Sequence, residues 1–581
     1  MQITKKVKLG VLFKILKLVY GLFPLQAITR DFVFIIVIAL EMYGIKVGGQ
    51  FIDATARLLI DHFEFTFASY FITDSFFYLT LGLGIWMLIS ALNSLRNFLY
   101  ESIFKKVQFH MQSALLEGIA RANLEDVERK EFRDLLEFVP KFSYENILAT
   151  YQGFSDGIKW FIRGVAAMFI LFSSLGLPAL LLIVFVLPEN LAGHLNRKKR
   201  HDYNNSEVER MKKVSYFDNL ITRLPFFPEL RVDNSVRYLK ERYEKDGGAV
   251  MNGFIELLKH YYIDTTLFNI IGRLLLTGFI IFILVISLIL KFSIGSFKAL
   301  YDYTVTAYES FLEFVGTILR VSTYLDYAEK YFEYIEYKGF GDVIHGEGLL
   351  NAETPDLELK DLSYIYLDSG RKALNDVNLK VEAGKHVAII GSDGSGKSSL
   401  VRILCGLYRI VDGNYMIGGI SIKDLARGEL KKKVSVVFQE FVNYNLSLKE
   451  NITLTSDRKR INRMLYDKAL SISGVDKMME KEGILEHQVL GKYFSGGREI
   501  SPGYWQRLAI ARAIYRDRDV YILDEPFLHI DEESRGKILQ SLLSYIGNLH
   551  SLIYITQEED FLDLFDDVYD LKNGKLVKRS K

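Results

Sequence analysis

Gly391-Ser392-Asp393-Gly394-Ser395-Gly396-Lys397-Ser398 follows the apolar run Val387-Ala388-Ile389-Ile390 and precedes Ser399-Leu400-Val401-Arg402-Ile403-Leu404. The glycines let successive backbone N–H groups turn inward around a β-phosphate, Lys397 reaches for β/γ oxygens, and the Ser398 hydroxyl is suited to a Mg²⁺ position. Ser392, Asp393, Ser395 and Ser399 complete the set of loop residues around the phosphates. The chemistry is nucleotide phosphate binding.

Such a loop works only when a buried strand empties into it and a helix leaves it, which predicts an α/β P-loop ATPase domain. The one cysteine, Cys405, excludes an intramolecular disulfide and, in an apolar helix pattern, reads as a packing residue. A net charge of +1 over 581 residues argues against an electrostatically driven nucleic-acid binder, and no nucleic-acid partner is expected. Aromatic residues at 13% together with a positive mean hydropathy of +0.12 point instead toward lipid.

The amino-terminal half supplies the apolar segments. Residues 274–290 carry no charge and reach spanning length with 268–272; comparable runs start near Phe32 and Phe76 and lie within 162–187. The last is too long for one span, and Gly176-Leu177-Pro178 predicts a tight hairpin between two helices. A sixth span over 297–319 contains Lys298, Asp302, Glu309 and Glu313, which require a polar cavity rather than lipid. Residues 61–70 lack Lys and Arg, whereas 101–156 and 197–260 are rich in both, so the basic segments, both termini and the nucleotide loop are expected on the cytosolic side of a cell membrane. Lys14 and Lys17 interrupt the first apolar run on one helical face. Residues 1–28 therefore read as an interfacial elbow helix, with Leu12, Phe13, Leu16 and Val19 apolar, rather than a secretory signal.

The order of motifs downstream of the loop resembles the ATP-binding cassette (ABC) transporters, over essentially the whole chain: an α-helical six-span membrane domain, type IV ABC exporter-like, followed by the α/β P-loop ATPase domain. The expected division is 1–28 elbow, 29–335 membrane domain, 336–354 linker and 355–581 nucleotide-binding domain. The resemblance implies that Tyr366 stacks on adenine and that Gln439, closing Val436-Val437-Phe438-Gln439, contacts Mg²⁺ and the attacking water. Residues 440–452 look like the linker segment of one exporter subgroup. Val520-Tyr521-Ile522-Leu523 delivers Asp524 and Glu525 to a strand's carboxyl end, Asp524 for the Mg²⁺ shell and Glu525 to polarise water for attack on the γ-phosphate of ATP.

Two positions depart from the family pattern. Where a Leu-Ser-Gly-Gly-Gln signature is expected, the chain has Ile500-Ser501-Pro502-Gly503-Tyr504, in which Pro502 removes a backbone donor and leaves Ser501 and the Gly503 amide facing a γ-phosphate. Phe494-Ser495-Gly496-Gly497 is offset upstream and reads as a decoy. The switch histidine is replaced by Gln557, which can donate a hydrogen bond but cannot carry charge. Because these cassettes pair head to tail, the substitutions favour a heterodimer with a second half-transporter over a homodimer, the other possibility. The expected function is an ATP-driven exporter half moving an unidentified lipid, peptide or amphipathic compound; the alternative is a nucleotide-gated or regulatory ABC protein with little transport. Coupling to the membrane is expected at 123–136, through Phe132, Leu135 and Leu136, and at 215–224. Tyr301, Asp302, Tyr308, Glu309 and Glu313 are candidates for the cargo path. No peptidase-like domain is expected ahead of Phe32, so a peptide cargo would arrive already processed.

Overall fold

Apolar sequence becomes long helix throughout the first 337 residues of the computed structural model, which describes residues 2–60, 70–223, 226–337, 346–366, 369–426, 428–454 and 461–579. In order these are α1 (Gln2–Leu22), α2 (Pro24–Ile60), α3 (Asp74–Arg121), α4 (Leu124–Glu128), α5 (Lys130–Phe138), α6 (Tyr144–Leu175), α7 (Leu187–Thr222), α8 (Phe227–Val232), α9 (Ser235–Ile289) and α10 (Ile294–Ile335). The chain divides into two compact units, one of residues 1–120 and 134–337, the other of 121–133 and 338–581.

Among the described residues four helices, α2, α3, α6 and α9, are long and apolar enough to cross a membrane. Length and hydropathy alone do not account for all six expected spans, for two physical reasons. The predicted hairpin forms at Gly176 (φ +68°), but the apolar stretch after it is short and grades into the charged α7. α10 is a continuous helix of 42 residues whose charges lower its hydropathy. Three of the four expected charges are paired on the helix itself, Lys298 with Asp302 at 2.5 Å and Glu313 with Arg320 at 3.1 Å, while Glu309 is exposed. Its buried hydroxyls bond backward to their own helix, Thr304 to the Leu300 carbonyl and Ser310 to that of Thr306, so burial leaves no unmet donor there. Tyr308 donates to Glu189 Oε1 of α7 at 2.5 Å.

Small residues let these helices approach. A Cβ on Gly295 would lie 2.0 Å from the Gly49 carbonyl oxygen, and one on Gly153 would lie 2.7 Å from Val321. Asp53 of α2 accepts from the Gly295 N–H (2.7 Å) and the Ser293 hydroxyl (2.6 Å), satisfying the start of α10. Outward faces keep large apolar side chains exposed, including Trp86, Phe169 and Leu288, as a lipid-facing surface requires. The elbow α1 buries Val11, Ile15 and Val19 at a spacing of four, while the expected apolar residue Phe13 is 69% exposed. Lys14 is tied to Glu336 by a 2.5 Å ion pair. The basic cluster also finds partners: Lys199 pairs with Asp264 (2.9 Å) and Arg200 lies over the Phe254 ring. The side chains of Lys5, Lys6 and Lys8, and residues 61–69, lie outside the described residues.

Residues 215–222 are simply the end of α7, and Leu224 lies outside the described residues. The short helix between the two long ones is α8, further along, with Phe227 half exposed and Val232 largely so.

The second unit contains two sheets. β1 (Leu357–Ile365), β2 (Lys372–Val381), β4 (Asp412–Ile417) and β5 (Ile420–Ser421) form an antiparallel sheet in the order β2-β1-β4-β5. β3 (His386–Ile390), β6 (Val434–Val437), β7 (Val520–Asp524), β8 (Ser551–Thr556), β9 (Asp567–Lys572) and β10 (Lys575–Lys578) form the order β10-β9-β3-β8-β7-β6, parallel except for the β9–β10 hairpin. One apolar core includes side chains of both sheets; another joins the second sheet to flanking helices, among them α12 (Pro502–Tyr515), while α11 (Lys397–Leu404) leaves the phosphate loop. β3, β7 and β8 are buried on both faces, which is why they read as unbroken apolar runs.

Gly295→Val should lower the unfolding midpoint of the detergent-solubilised protein by about 5 °C or more, because backbone blocks the new side chain. Gly278→Val, where nothing lies within 4 Å, should change it little.

Candidate functional site

Four parallel strands point the same way, so their carboxyl ends share one edge of the sheet. Ile390 pairs with Thr556, Asp524 with Ile555, and Val437 with Leu523. The residues that follow each strand are therefore neighbours: the phosphate loop after β3, Gln557 after β8, Glu525 after β7 and Gln439 just beyond β6. This edge is where open α/β sheets place ligands.

The loop has the curvature its glycines promise. Gly394 and Gly396 take φ of +75° and +113°, and a Cβ on Gly396 would sit 2.7 Å from the Ala373 carbonyl oxygen. Lys397 is 6% exposed and folds back across the loop, donating to the carbonyls of Gly391 (2.8 Å) and Ser392 (3.1 Å). Its ammonium also lies 3.2 Å from Glu525 Oε1.

Glu525 is the centre of the cluster. Its carboxylate accepts from Gln439 Nε2 (3.0 Å) and Gln557 Nε2 (2.7 Å), and Gln557 also donates to Asp393 Oδ1 (2.7 Å). Its backbone sits at φ +47°, a conformation that costs a non-glycine residue of order 1 kcal/mol. Two features hold it there: the Glu525 N–H donates to the Ile555 carbonyl, and the Glu525 carbonyl accepts from Gln506 Nε2 at 3.2 Å. Gln506, 1% exposed, simultaneously accepts from the His529 N–H at 2.8 Å. Sequence reasoning passed over Gln506, although an amide on the buried face of an otherwise apolar helix was the clue.

Asp524 is 3% exposed and its Oδ1 has no hydrogen-bond partner. Burial, reinforced by the neighbouring Glu525 carboxylate, raises its pKa to about 6, against the opposing pull of Lys397 and Arg402. A buried carboxylate oxygen without a donor, beside a loop containing exposed Ser398 and a second unpartnered oxygen, Ser395 Oγ, fits a site awaiting a cation and phosphates. Among the described residues no cluster of three or more His, Cys, Asp or Glu could hold a metal by itself. Two protein oxygens plus phosphates is the usual manner of holding Mg²⁺.

Tyr366 stands beside the loop helix, its hydroxyl hydrogen-bonded to Ser399 Oγ at 2.8 Å and its ring edge-on to Tyr364 and Tyr408. Tyr364 and Tyr408 stack at 4.8 Å, and this pair receives α4, which belongs to the same unit. Tyr364 donates to Glu125 (3.0 Å) and Tyr408 to Glu128 (3.0 Å); Arg409 and Arg402 add ion pairs to the same two acids. Burial and the Glu125 charge together raise the pKa of the Tyr364 hydroxyl. Glu125 and Glu128 of α4 thus bind this tyrosine pair within their own unit. The expected apolar residues Phe132 and Leu135 are buried, but these polar contacts are not theirs. Cys405 is half-buried against the core of the two sheets, its thiol pushed up to about 12 by burial.

Ser501 and Gly503 open α12 and make no hydrogen bond to the phosphate loop among the described residues. Pro502 occupies the first helical position, where its fixed φ fits and a missing N–H would have been unpaired in any case. A Cβ on Gly503 would meet the His529 carbonyl oxygen at 2.6 Å, so glycine is required there. In the upstream decoy, Gly497 packs against the Gly491 carbonyl within a turn.

Residues 374–528 match a family model described as "ABC transporter". The chain is 25% identical over 508 residues to the subtilin transport ATP-binding protein SpaT of Bacillus subtilis, covering 85% of this chain and 80% of the relative. It is 25% identical over 506 residues to the nisin transport ATP-binding protein NisT of Lactococcus lactis subsp. lactis, covering 84% and 82%. An ATP-dependent lipid A-core flippase of Yersinia pestis is 30% identical over 235 residues, 40% of each chain. The solved structure of a bacterial Atm1-family ABC exporter with ATP bound superposes with a TM-score of 0.76 at 16% identity, covering 95% of this chain and 94% of that one, a likeness of fold.

The Asp524 shift makes a signed prediction. Above pH 6 the carboxylate is ionised in both folded and unfolded chains, and only the folded one bears the desolvation cost. As pH falls through 6 the folded state binds a proton first, so stability contributed by this site rises toward pH 4. Asp524→Asn should therefore stabilise the nucleotide-free ATPase unit by about 2 to 3 kcal/mol at pH 7.5, with the gain mostly gone near pH 4, read from unfolding midpoints at the two pH values.

Proposed function

We propose that this chain, an ABC transporter of the exporter type, works as one half of an ATP-driven exporter in which Glu525 is the catalytic base. The observation that carries the reading is the convergence of Lys397, Gln439 and Gln557 on the Glu525 carboxylate at the mouth of the phosphate loop.

In the nucleotide-free arrangement Glu525 is neutralised by Lys397 and cannot serve as a base. Phosphate oxygens arriving in the loop compete for the Lys397 ammonium, since charge-assisted bonds to them replace those to Gly391, Ser392 and Glu525. Glu525, released, is left held by the two glutamine amides and by its backbone contacts, free to take a proton from a water in line with the γ-phosphate. Gln557 donates one N–H toward the γ-phosphate, and Tyr366 exchanges its bond with Ser399 for a stack against adenine. Ser398, Asp524 and Gln439 would hold Mg²⁺, which would supply charge neutralisation to the phosphates.

Exporters of this family act as dimers, and a heterodimer is the reading proposed here. Support comes from Pro502 and Gln557, which in a homodimer would weaken both nucleotide sites and in a heterodimer fall at different ones. Cargo is taken to be a bulky amphipathic molecule. The relatives that extend over most of the chain are named for subtilin and nisin transport.

Hydrolysis by the full chain reconstituted in liposomes, alone and co-expressed with companion half-transporters, tests the proposal: stimulation by amphipathic peptides is expected, and nucleotide binding without stimulation would refute export. Gln557→His should raise turnover about 10-fold by restoring a chargeable donor, and Gln557→Ala should lower it by about as much.

A further inference from the structure

Charged turns of three membrane helices meet around one small cavity. α2 contributes Arg30 and Asp31, α3 Arg96 and Tyr100, and α6 Asp156 and Lys159, enclosing about 80 Å³. Each turn lies at the cytosolic margin of its helix's apolar run, which begins at Phe32 in α2, ends near Leu92 in α3 and begins near Trp160 in α6. The cavity therefore sits at the depth of the inner leaflet's headgroups. Trp160 marks that boundary, with the Lys159 ammonium 4.9 Å and the Arg163 guanidinium 5.4 Å from its ring centroid.

The lining is positive by one charge: Arg30, Arg96 and Lys159 against Asp31 and Asp156. Arg30 is already committed. It is 4% exposed, bonds Asp31 at 2.7 Å and Ser155, and lies 4.6 Å over the Tyr151 ring. Arg96 and Lys159 form no ion pair among the described residues, and each repels the other. Two like charges held at one cavity call for an anion. The space has room for a phosphate group with a few waters and is far short of an acyl chain. One phosphodiester negative charge would cancel the excess, whereas a choline headgroup would bring its own cation back to the same wall.

We propose that this cavity binds the phosphate of an anionic inner-leaflet phospholipid, with Arg96 and Lys159 as its charged donors. The acyl chains remain in the bilayer, and the site is separate from ATP and independent of the cargo.

The test is thermal unfolding of the purified full chain in detergent micelles, with added dioleoylphosphatidylglycerol, dioleoylphosphatidylcholine or inorganic phosphate. Phosphatidylglycerol should raise the wild-type midpoint by about 5 °C, and phosphatidylcholine should raise it far less. The double variant Arg96→Gln/Lys159→Gln should lose most of the shift, while Lys212→Gln/Lys213→Gln, on the exposed surface of α7, should keep it. Gln152→Glu guards against misfolding. It preserves the acceptor for the Tyr100 hydroxyl, now 2.7 Å away, yet sets a carboxylate against the phosphate, and should also lose the shift. An equal response to inorganic phosphate would keep the phosphate site but assign its source to solution. Equal shifts with both lipids, or an undiminished shift in both cavity variants, would overturn the proposal.

Discussion

Parallel pairing of β3 with β8, β8 with β7 and β7 with β6 sets the ends of four strands along one edge. The groups that matter come from positions separated by up to 166 residues of sequence, from Gly391 to Gln557, and no local interaction would gather them. Parallel strands are buried on both faces and need crossover segments, so the site is only as stable as the apolar core beneath it. A register slip of one residue in β7 would turn Asp524 and Glu525 to opposite faces and separate the base from the amides that hold it.

At that edge the decisive contact is between Lys397 and Glu525, each with a side chain 7% exposed. A buried pair of this kind is costly to desolvate, and its net contribution to stability is small. Its value here is as a competition. On the proposed mechanism the ammonium that would bind phosphate oxygens is the one that silences the base, which makes phosphate binding and base activation one event. The strained φ of Glu525 and the bond from Gln506 keep the carboxylate in place once the ammonium has moved. On the other side of the loop, Tyr366 reaches Ser399 and abuts the tyrosines that receive Glu125 and Glu128 of α4. Tyr366, expected to contact nucleotide, and α4, from the segment expected to couple to the membrane, thus share one aromatic cluster within the ATPase unit.

Much of this was readable from the chain because strand, turn and helix each left a distinct pattern. The phosphate loop, Asp524 and Glu525 follow short apolar runs whose pattern places them on strand ends, whereas Gln439 and Gln557 were reached through the family resemblance. Four membrane helices were legible by length and apolarity. The other two were not reducible to hydropathy, because the paired charges of α10 and the polar continuation of α7 make sense only beside their partners. Pro502 suits the first position of α12, a matter of helix geometry that the sequence pattern did not announce, although it still offers no N–H to a phosphate. Gln506, and the acids of α4, act through tertiary contacts that no local spacing announces. The elbow's buried stripe was displaced by one residue from the expected one, since amphipathicity alone does not say which edge of a helix meets protein and which meets lipid.

The central claim is that Glu525 of this chain fires its own nucleotide site once phosphate has drawn Lys397 away. Glu525→Gln keeps the shape and the strand register while removing the base. In the reconstituted full chain, ATP retained after rapid desalting and turnover should be measured together. The account predicts about one ATP held per site of this chain and turnover reduced about 100-fold or more. Unchanged turnover, with nucleotide washing off as readily as from the wild type, would contradict it.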